Sequence, residues 1–221
     1  MSFKITGSGS CIPSVVQNND KFLNHSFYDE SGSEFDIENQ TIIEKFSSIT
    51  GINQRKYISA NLTTSDIAYQ AAKSAIKDAD IDPETLDYII LAHNFGDITC
   101  NSKQIDTLPS LASRVKAKLK IKNPECIAYD VLFGCPGWIE GMIQAQAFIK
   151  AKMAQKCLVI GADALSRVID SHDRDSMIYA DGAGATVLEK SSQEGGILSH
   201  CTLTFTAEDE ANFIFYGKSS K

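Results

Sequence analysis

Cys126-Ile127-Ala128-Tyr129-Asp130-Val131-Leu132-Phe133-Gly134-Cys135-Pro136-Gly137-Trp138-Ile139-Glu140-Gly141-Met142-Ile143 is the stretch whose reading decides the fold. Ile127, Tyr129, Val131 and Phe133 fall on alternate positions, which predicts a buried strand. Ile139, Met142, Ile143 and Phe148 then recur with Ala145 and Ala147 between them, which predicts a helix. Cys135 sits at the joint. Pro136 suits the first helical position, where its missing N–H costs nothing. A thiol there faces unpaired backbone N–H groups and the positive end of the helix dipole. Both favour thiolate over thiol. A strand–turn–helix elbow that lifts a nucleophile to a helix start is a recurring catalytic device. Most free cysteines are inert packing, and Cys11, Cys100, Cys126, Cys157 and Cys201 lack this context.

Working outward, Lys156 to Gly161 predicts another buried strand, and Ile178 to Glu189 a glycine-rich turn feeding a strand. Gly196 to Phe205 predicts one more. Upstream, Asp82-Pro83-Glu84 turns the chain into Leu86–His93, a fully buried strand. Thr63-Thr64-Ser65-Asp66 caps a helix carrying Ala68, Ala71, Ala72, Ala75, Ile76 and Ala79, a small-residue face suited to close packing on a sheet. Asn94 to Thr107 has no periodicity and reads as a long loop. Leu108, Leu111, Ala112, Val115 and Leu119 form the next helical face. Arg114, Lys116, Lys118 and Lys120 on its other side read as a solvated basic face, with docking to an acidic partner as the alternative.

Nearer the start, Ile42, Ile43, Phe46 and Ile49 predict a short amphipathic helix closed near Gly51, after a polar surface loop from Tyr28 to Asn39. Asn18-Asn19-Asp20 offers a helix cap before Phe22, Leu23 and Phe27. Phe3 to Ser8 predicts a first strand. Gly7-Ser8-Gly9-Ser10 reads as its end turn and not as a dinucleotide loop, because the third glycine is missing and Pro13 interrupts the helix. Strands alternating with helices predict an α/β layered fold with a mostly parallel mixed sheet flanked by helices. The apolar run Ala211-Asn212-Phe213-Ile214-Phe215-Tyr216 is followed only by Gly217-Lys218-Ser219-Ser220-Lys221, an ending that reads as cut.

The 221 residues can bury a full core, and an apolar share of 43% with 22% charged is ordinary for a soluble globular protein. A formal net charge of -7 argues against nucleic-acid binding as the main task. The six cysteines show no zinc-type spacing, so no metal is expected, and reduced thiols in the cytoplasm fit best. No signal peptide is read at Met1-Ser2-Phe3-Lys4, and no apolar run approaches a membrane span.

Four ordered motifs carry a resemblance. Gly7-Ser8-Gly9-Ser10-Cys11-Ile12-Pro13, Thr50-Gly51-Ile52-Asn53-Gln54-Arg55, Asp130 to Trp138 and Asp181-Gly182-Ala183-Gly184-Ala185 together resemble the N-terminal half of a β-ketoacyl-acyl carrier protein synthase III, a thiolase-like condensing enzyme. The resemblance implies residues 1–191 as a nucleophile-carrying half and 195–221 as the first strand and start of a second half. It implies that Cys135 takes an acyl group from a thioester and that the acyl-enzyme is condensed with malonyl-acyl carrier protein, in fatty acid or related polyketide-like biosynthesis. The Cys135 amide is then a natural donor to the thioester oxygen. Arg167, Leu108, Trp138, Gly182 and Gly184 are implied as substrate-binding residues. Acyl-CoA or acyl carrier protein thioesters are the implied substrates, with no permanently bound cofactor, and a homodimer is implied.

Departures from the pattern sharpen the expectation. The family's His and Asn motifs for decarboxylation are absent, and His25, His93, His172 and His200 do not occupy them. The chain as written is therefore expected not to complete the condensation and, at most, to acylate slowly at Cys135. Lys45 and Ile49 stand where the family has an adenine-stacking tryptophan and a phosphate-contacting arginine, which leaves room for a carrier-protein-loaded or specialised donor. Trp138 stands where it can reshape the acyl tunnel, or packs as a core residue. Gly96 to Asp106 reads as an insertion near the dimer-side pocket. A catalytically silent partner of a condensing pair is the alternative, and the retained Cys135 argues against it. A papain-type thiol hydrolase is set aside because that family lacks the preceding buried strand, and a redox dithiol because Cys135 has no partner at two-residue spacing.

Overall fold

The computed structural model describes residues 2–29, 31–102 and 104–207. One five-stranded sheet is built from β1 (Ser2–Cys11), β4 (Tyr88–His93), β5 (Ile127–Leu132), β6 (Lys156–Ala164) and β7 (Asp181–Ser191), in the order β1-β7-β6-β4-β5. β4 runs parallel to both β5 and β6, while β7 is antiparallel to β6 and to β1. The sheet is therefore mixed, with its parallel half on the β5 side. β2 (Val15–Asn18) and β3 (Gln54–Tyr57) form a separate two-stranded ribbon.

Helices cover both faces of the sheet. α2 (Thr64–Ala79) and α3 (Leu111–Lys118) lie on one, α4 (Gly137–Lys150) on the other. α1 (Asn39–Thr50) forms a small third core with Phe22, Phe27 and Met177, and ends at Gly51 in the left-handed conformation. The start of α2 follows its sequence: Thr63 and Asp66 form a reciprocal capping box, and Ala68, Ala71, Ala72 and Ala75 are wholly buried.

Several expectations need correction. The Gly7–Gly9 segment is not a turn but lies inside β1, paired with β7. A Cβ at Gly7 would sit 2.3 Å from the Ala75 carbonyl oxygen, and one at Gly9 2.3 Å from that of Ala71. The glycines are there because α2 presses on β1 too closely for any side chain. β5 was expected to be buried, yet it ends the sheet, with Ile127 47% and Leu132 68% exposed. Periodicity reports which faces are apolar, not whether a strand lies at an edge.

The basic side of α3 is not a free solvated face. Arg114 pairs with Asp97 (2.9 Å) and Asp106 (2.6 Å), Lys118 pairs with Asp66, and the Lys116 ammonium donates to the Asn123 and Cys126 carbonyls. The long loop after β4 is tied down by the same contacts, and Asp97 and Asp106 exchange backbone hydrogen bonds across it. Residues 196–205 form no strand. Gln146 on α4 holds Ile197 through both its amide and carbonyl, so the segment packs on a helix and pairs with no strand among the described residues. The Ala211–Tyr216 run lies outside the described residues.

Candidate active site

Gly134 closes a tight turn by accepting the Gly137 N–H at 2.8 Å, and Cys135 and Pro136 are its two central residues. Pro136 is the residue before the helix and not its first member. Its carbonyl accepts the Glu140 N–H at 3.1 Å, the first helical bond. Cys135 is thus presented at the end of β5 and immediately before α4, and it is exposed. Small residues make this possible. A Cβ at Gly137 would come 2.8 Å from the Ala92 Cβ, and one at Gly141 2.8 Å from Val159 Cγ1, so α4 lies directly on β4 and β6.

Cys135 opens onto a cavity of about 550 Å³. Trp138, Gly182 and Gly184 share its wall with Phe133, Gly161 and Asp163. Trp138 crosses above Gly161, where a Cβ would lie only 3.2 Å from the Trp138 Cβ. Its half-buried ring therefore serves both readings offered by the sequence, packing against the core and lining the cavity. Four of the six predicted site residues thus meet at one place.

Leu108 and Arg167 do not line this cavity. Leu108 is 85% exposed beside the start of α3, and Arg167 donates to the Ser59 carbonyl at 2.8 Å.

The turn that carries Gly182 and Gly184 is fixed by its aspartate. Asp181 is buried and accepts from the Ile58 N–H (2.8 Å), the Ser166 N–H (2.8 Å) and the Ser166 hydroxyl (2.6 Å). One carboxylate so ties the start of β7 to the end of β3 and to the segment after β6. The other cysteines keep their bland role where burial acts on them: it pushes the thiols of Cys11 and Cys126 up, and that of Cys157 to about 12.

Sequence reasoning missed two features. His93 is buried, receives the Gly96 N–H on Nδ1 (2.9 Å) and meets Asp130 through Nε2 (3.1 Å), so its proton is on Nε2. Asp130 also accepts the Leu111 and Ala112 N–H groups, which makes it the anchor of α3. Asp163 is the second. The predicted strand stopped at Gly161, whereas β6 runs on to Ala164 and turns Asp163 into the cavity. An acidic residue at the carboxyl end of a buried strand was the available signal.

Residues 129–204 match the family model for 3-oxoacyl-[acyl-carrier-protein (ACP)] synthase III. A curated β-ketoacyl-[acyl-carrier-protein] synthase III from Erythrobacter litoralis is 35% identical over 220 residues, covering 98% of this chain and 61% of that protein. This chain is similar to β-ketoacyl-[acyl-carrier-protein] synthase III over nearly its whole length. Among other synthase III relatives, one from Vibrio parahaemolyticus is 38% identical over 203 residues, covering 90% of this chain and 56% of its own length. The crystal structure of the Aquifex aeolicus 3-oxoacyl-[acyl-carrier-protein] synthase III superposes with a TM-score of 0.70 at 32% identity, covering 87% of this chain and 55% of that one. The chain spans a little over half the length of these synthase III relatives.

Proposed function

We propose that this chain carries the acyl-accepting half of a 3-oxoacyl-[acyl-carrier-protein] synthase III-type acyltransferase, with Cys135 as nucleophile. The supporting observation is the exposed thiol at the start of α4, opening onto a cavity large enough for a short acyl thioester. The Cys135 sulfur attacks the thioester carbonyl, a C–S bond forms, the bond to the donor sulfur breaks, and the donor leaves as a free thiol. The Cys135 backbone N–H is the donor placed to meet the developing oxyanion. Gly182 and Gly184 keep the floor low enough for the substrate, and Trp138 bounds the acyl side. The acyl-enzyme is then condensed with malonyl-acyl carrier protein, a step that draws on the family's second half, of which residues 195–221 are the beginning.

Partners follow from the same reading. Acyl carrier protein and a small acyl thioester, coenzyme A-borne or carrier-borne, are the substrates, in the cytoplasm and with no permanent cofactor. Arg167 serves the donor's distal end. A homodimer across β5 fits its open edge, on which Ile127 and Leu132 are exposed. Among the described residues no helix is long and apolar enough to cross a membrane. Incubation with a panel of acyl thioesters, followed by peptide mass mapping, tests the proposal. An acyl adduct on Cys135 is expected, and adducts spread evenly over the exposed cysteines would refute it.

A further inference from the structure

A second cavity, which Cys135 does not line, lies between α1 and the short 3-10 turn Arg174–Ile178. It holds about 300 Å³. Ile42, Phe46 and Ile49 of α1 fall at i, i+4 and i+7 and so share one helix face. They form one wall, and Met177 and Ile178 form the other. This apolar face does not stop where the core ends. Ile42 and Met177 are buried in the small third core, yet Ile49 is 83% exposed. Ile37 and Ile178 stand exposed in the same lining. Apolar side chains gathered around an open groove mark a binding surface, where scattered ones do not.

Two cations belong to the same walls. Lys45, at i+3 from Ile42, is exposed, and among the described residues its ammonium has no hydrogen-bond or ion-pair partner. Arg174 lies in the opposite wall, its guanidinium over the Phe35 ring at 4.9 Å. The one carboxylate in the lining, Asp175, is 3.8 Å from the Arg174 Nε and turned largely to solvent. In a chain of formal net charge -7, a groove with two cations to one carboxylate is a local exception.

Size and lining together select the occupant. One turn of a protein helix, about 10 Å across and about 5.4 Å long, fills about 400 Å³, more than the groove holds. A nucleobase needs a flat partner, and Lys45 and Ile49, which stand where the resemblance expects nucleotide contacts, offer none. An unbranched hydrocarbon chain gains by leaving water between aliphatic walls, and a free ammonium takes an anionic head. We propose that the groove between α1 and Arg174–Ile178 binds a medium-chain fatty acid, with the chain against Phe46, Ile49 and Ile178 and the carboxylate on Lys45 and Arg174. The proposal does not depend on acyl transfer by Cys135.

Calorimetric titration of the full chain with decanoate tests it, with Lys45→Glu and Ile49→Asn beside the wild type. Both side chains are exposed, so Tm should stay level in both variants. One-to-one binding to the wild type is expected, and no binding overturns the proposal. Lys45→Glu turns a charge-assisted contact into a repulsion and should weaken binding about tenfold or more. Ile49→Asn should weaken it about fivefold. Binding that neither substitution changes, or decanol binding as tightly as decanoate, overturns the proposal. So does displacement of decanoate by an equal concentration of coenzyme A, which would make the groove a nucleotide site. Loss of a dimer by light scattering in Ile49→Asn would give the groove to a second copy instead. Iodoacetamide labelling of Cys135 locates the ligand: an unchanged rate with decanoate is expected, while protection that survives in Lys45→Glu places decanoate in the Cys135 cavity and overturns the groove. The acyl-transfer reading falls only on a missing Cys135 adduct, so the two fail separately.

Discussion

Where β6 ends and β7 begins, the two faces of the sheet carry only small side chains and one aspartate, yet one face is sealed and the other is open. Toward α2 the strands present Ala162, Ala164, Ala183 and Ala185, all buried, and the alanine face of α2 closes over them. Toward α4 the alternate positions are Gly161, Asp163, Gly182 and Gly184, and there the space stays empty under Cys135. Side-chain alternation in a strand lets one sequence stretch, Asp181-Gly182-Ala183-Gly184-Ala185, specify both outcomes at once. A binding cavity is made here by omission, while the same strands supply the packing that keeps the floor rigid.

The largest expected effect lies on the open face. Cys135→Ala should abolish acyl adduct formation with no change in thermal unfolding, whereas Cys126→Ala on the sealed side should leave acylation intact. Adduct formation by Cys135→Ala would place the chemistry elsewhere. Next comes the tightest contact of the sealed side. Gly9→Ala drives a methyl toward the Ala71 carbonyl at 2.3 Å and should cost about 3 kcal/mol, a fall in Tm of about 10 °C. A Tm within 2 °C of wild type, taking that as roughly the effect of a 1 kcal/mol change, would mean that α2 can back away from β1.

Much of this contrast was legible in the sequence. The alanine spacing of α2, its Thr63–Asp66 cap and the cysteine at a strand–helix joint each declare themselves through local chemistry. The edge position of β5 did not, because edge and centre are settled by strand order. The basic residues of α3 read as solvated because their partners Asp66, Asp97 and Asp106 are 52, 17 and 8 residues away from Lys118, Arg114 and Arg114, and no spacing rule links them. Asp163 was missed for a related reason. It lines the cavity only because β6 runs on past Gly161 and pairs it with Gly182, a partner distant in sequence.

Two smaller effects probe how the sealed side is fastened. Ala185→Gly removes a buried methyl beneath α2 and loosens a strand residue, at about 1.5 kcal/mol by denaturant unfolding. Asp66→Asn removes the charge that pairs with Lys118 and leaves the capping box a weaker amide-oxygen acceptor, at about 1 kcal/mol near neutral pH. Burial works to raise the Asp66 carboxyl, but the Lys118 ammonium and the Thr63 donors outweigh it and hold the carboxyl below its usual range. A depressed acid contributes stability above its unfolded value of about 3.9 and loses it as pH falls through the folded value. The gap between wild type and Asp66→Asn should therefore be full at pH 7 and close below pH ~4. A gap that persists in acid would assign the effect to amide packing and not to charge.

The smallest effect is the most pointed comparison, because it adds on one face the group that Ala185→Gly removes from the other. A Cβ at Gly184 meets nothing within 4 Å, and the residue is a strand glycine without a left-handed backbone. Gly184→Ala should therefore stabilise the chain by about 0.5 kcal/mol through the unfolded state, which loses conformational freedom. It should also slow acylation of Cys135 more for long acyl donors than for acetyl, since the methyl rises from the cavity floor. Stability and acylation then move in opposite directions at one position. If Gly184→Ala instead destabilised the chain as Ala185→Gly does, the two faces would be equally packed, and the cavity would have no claim to be a site.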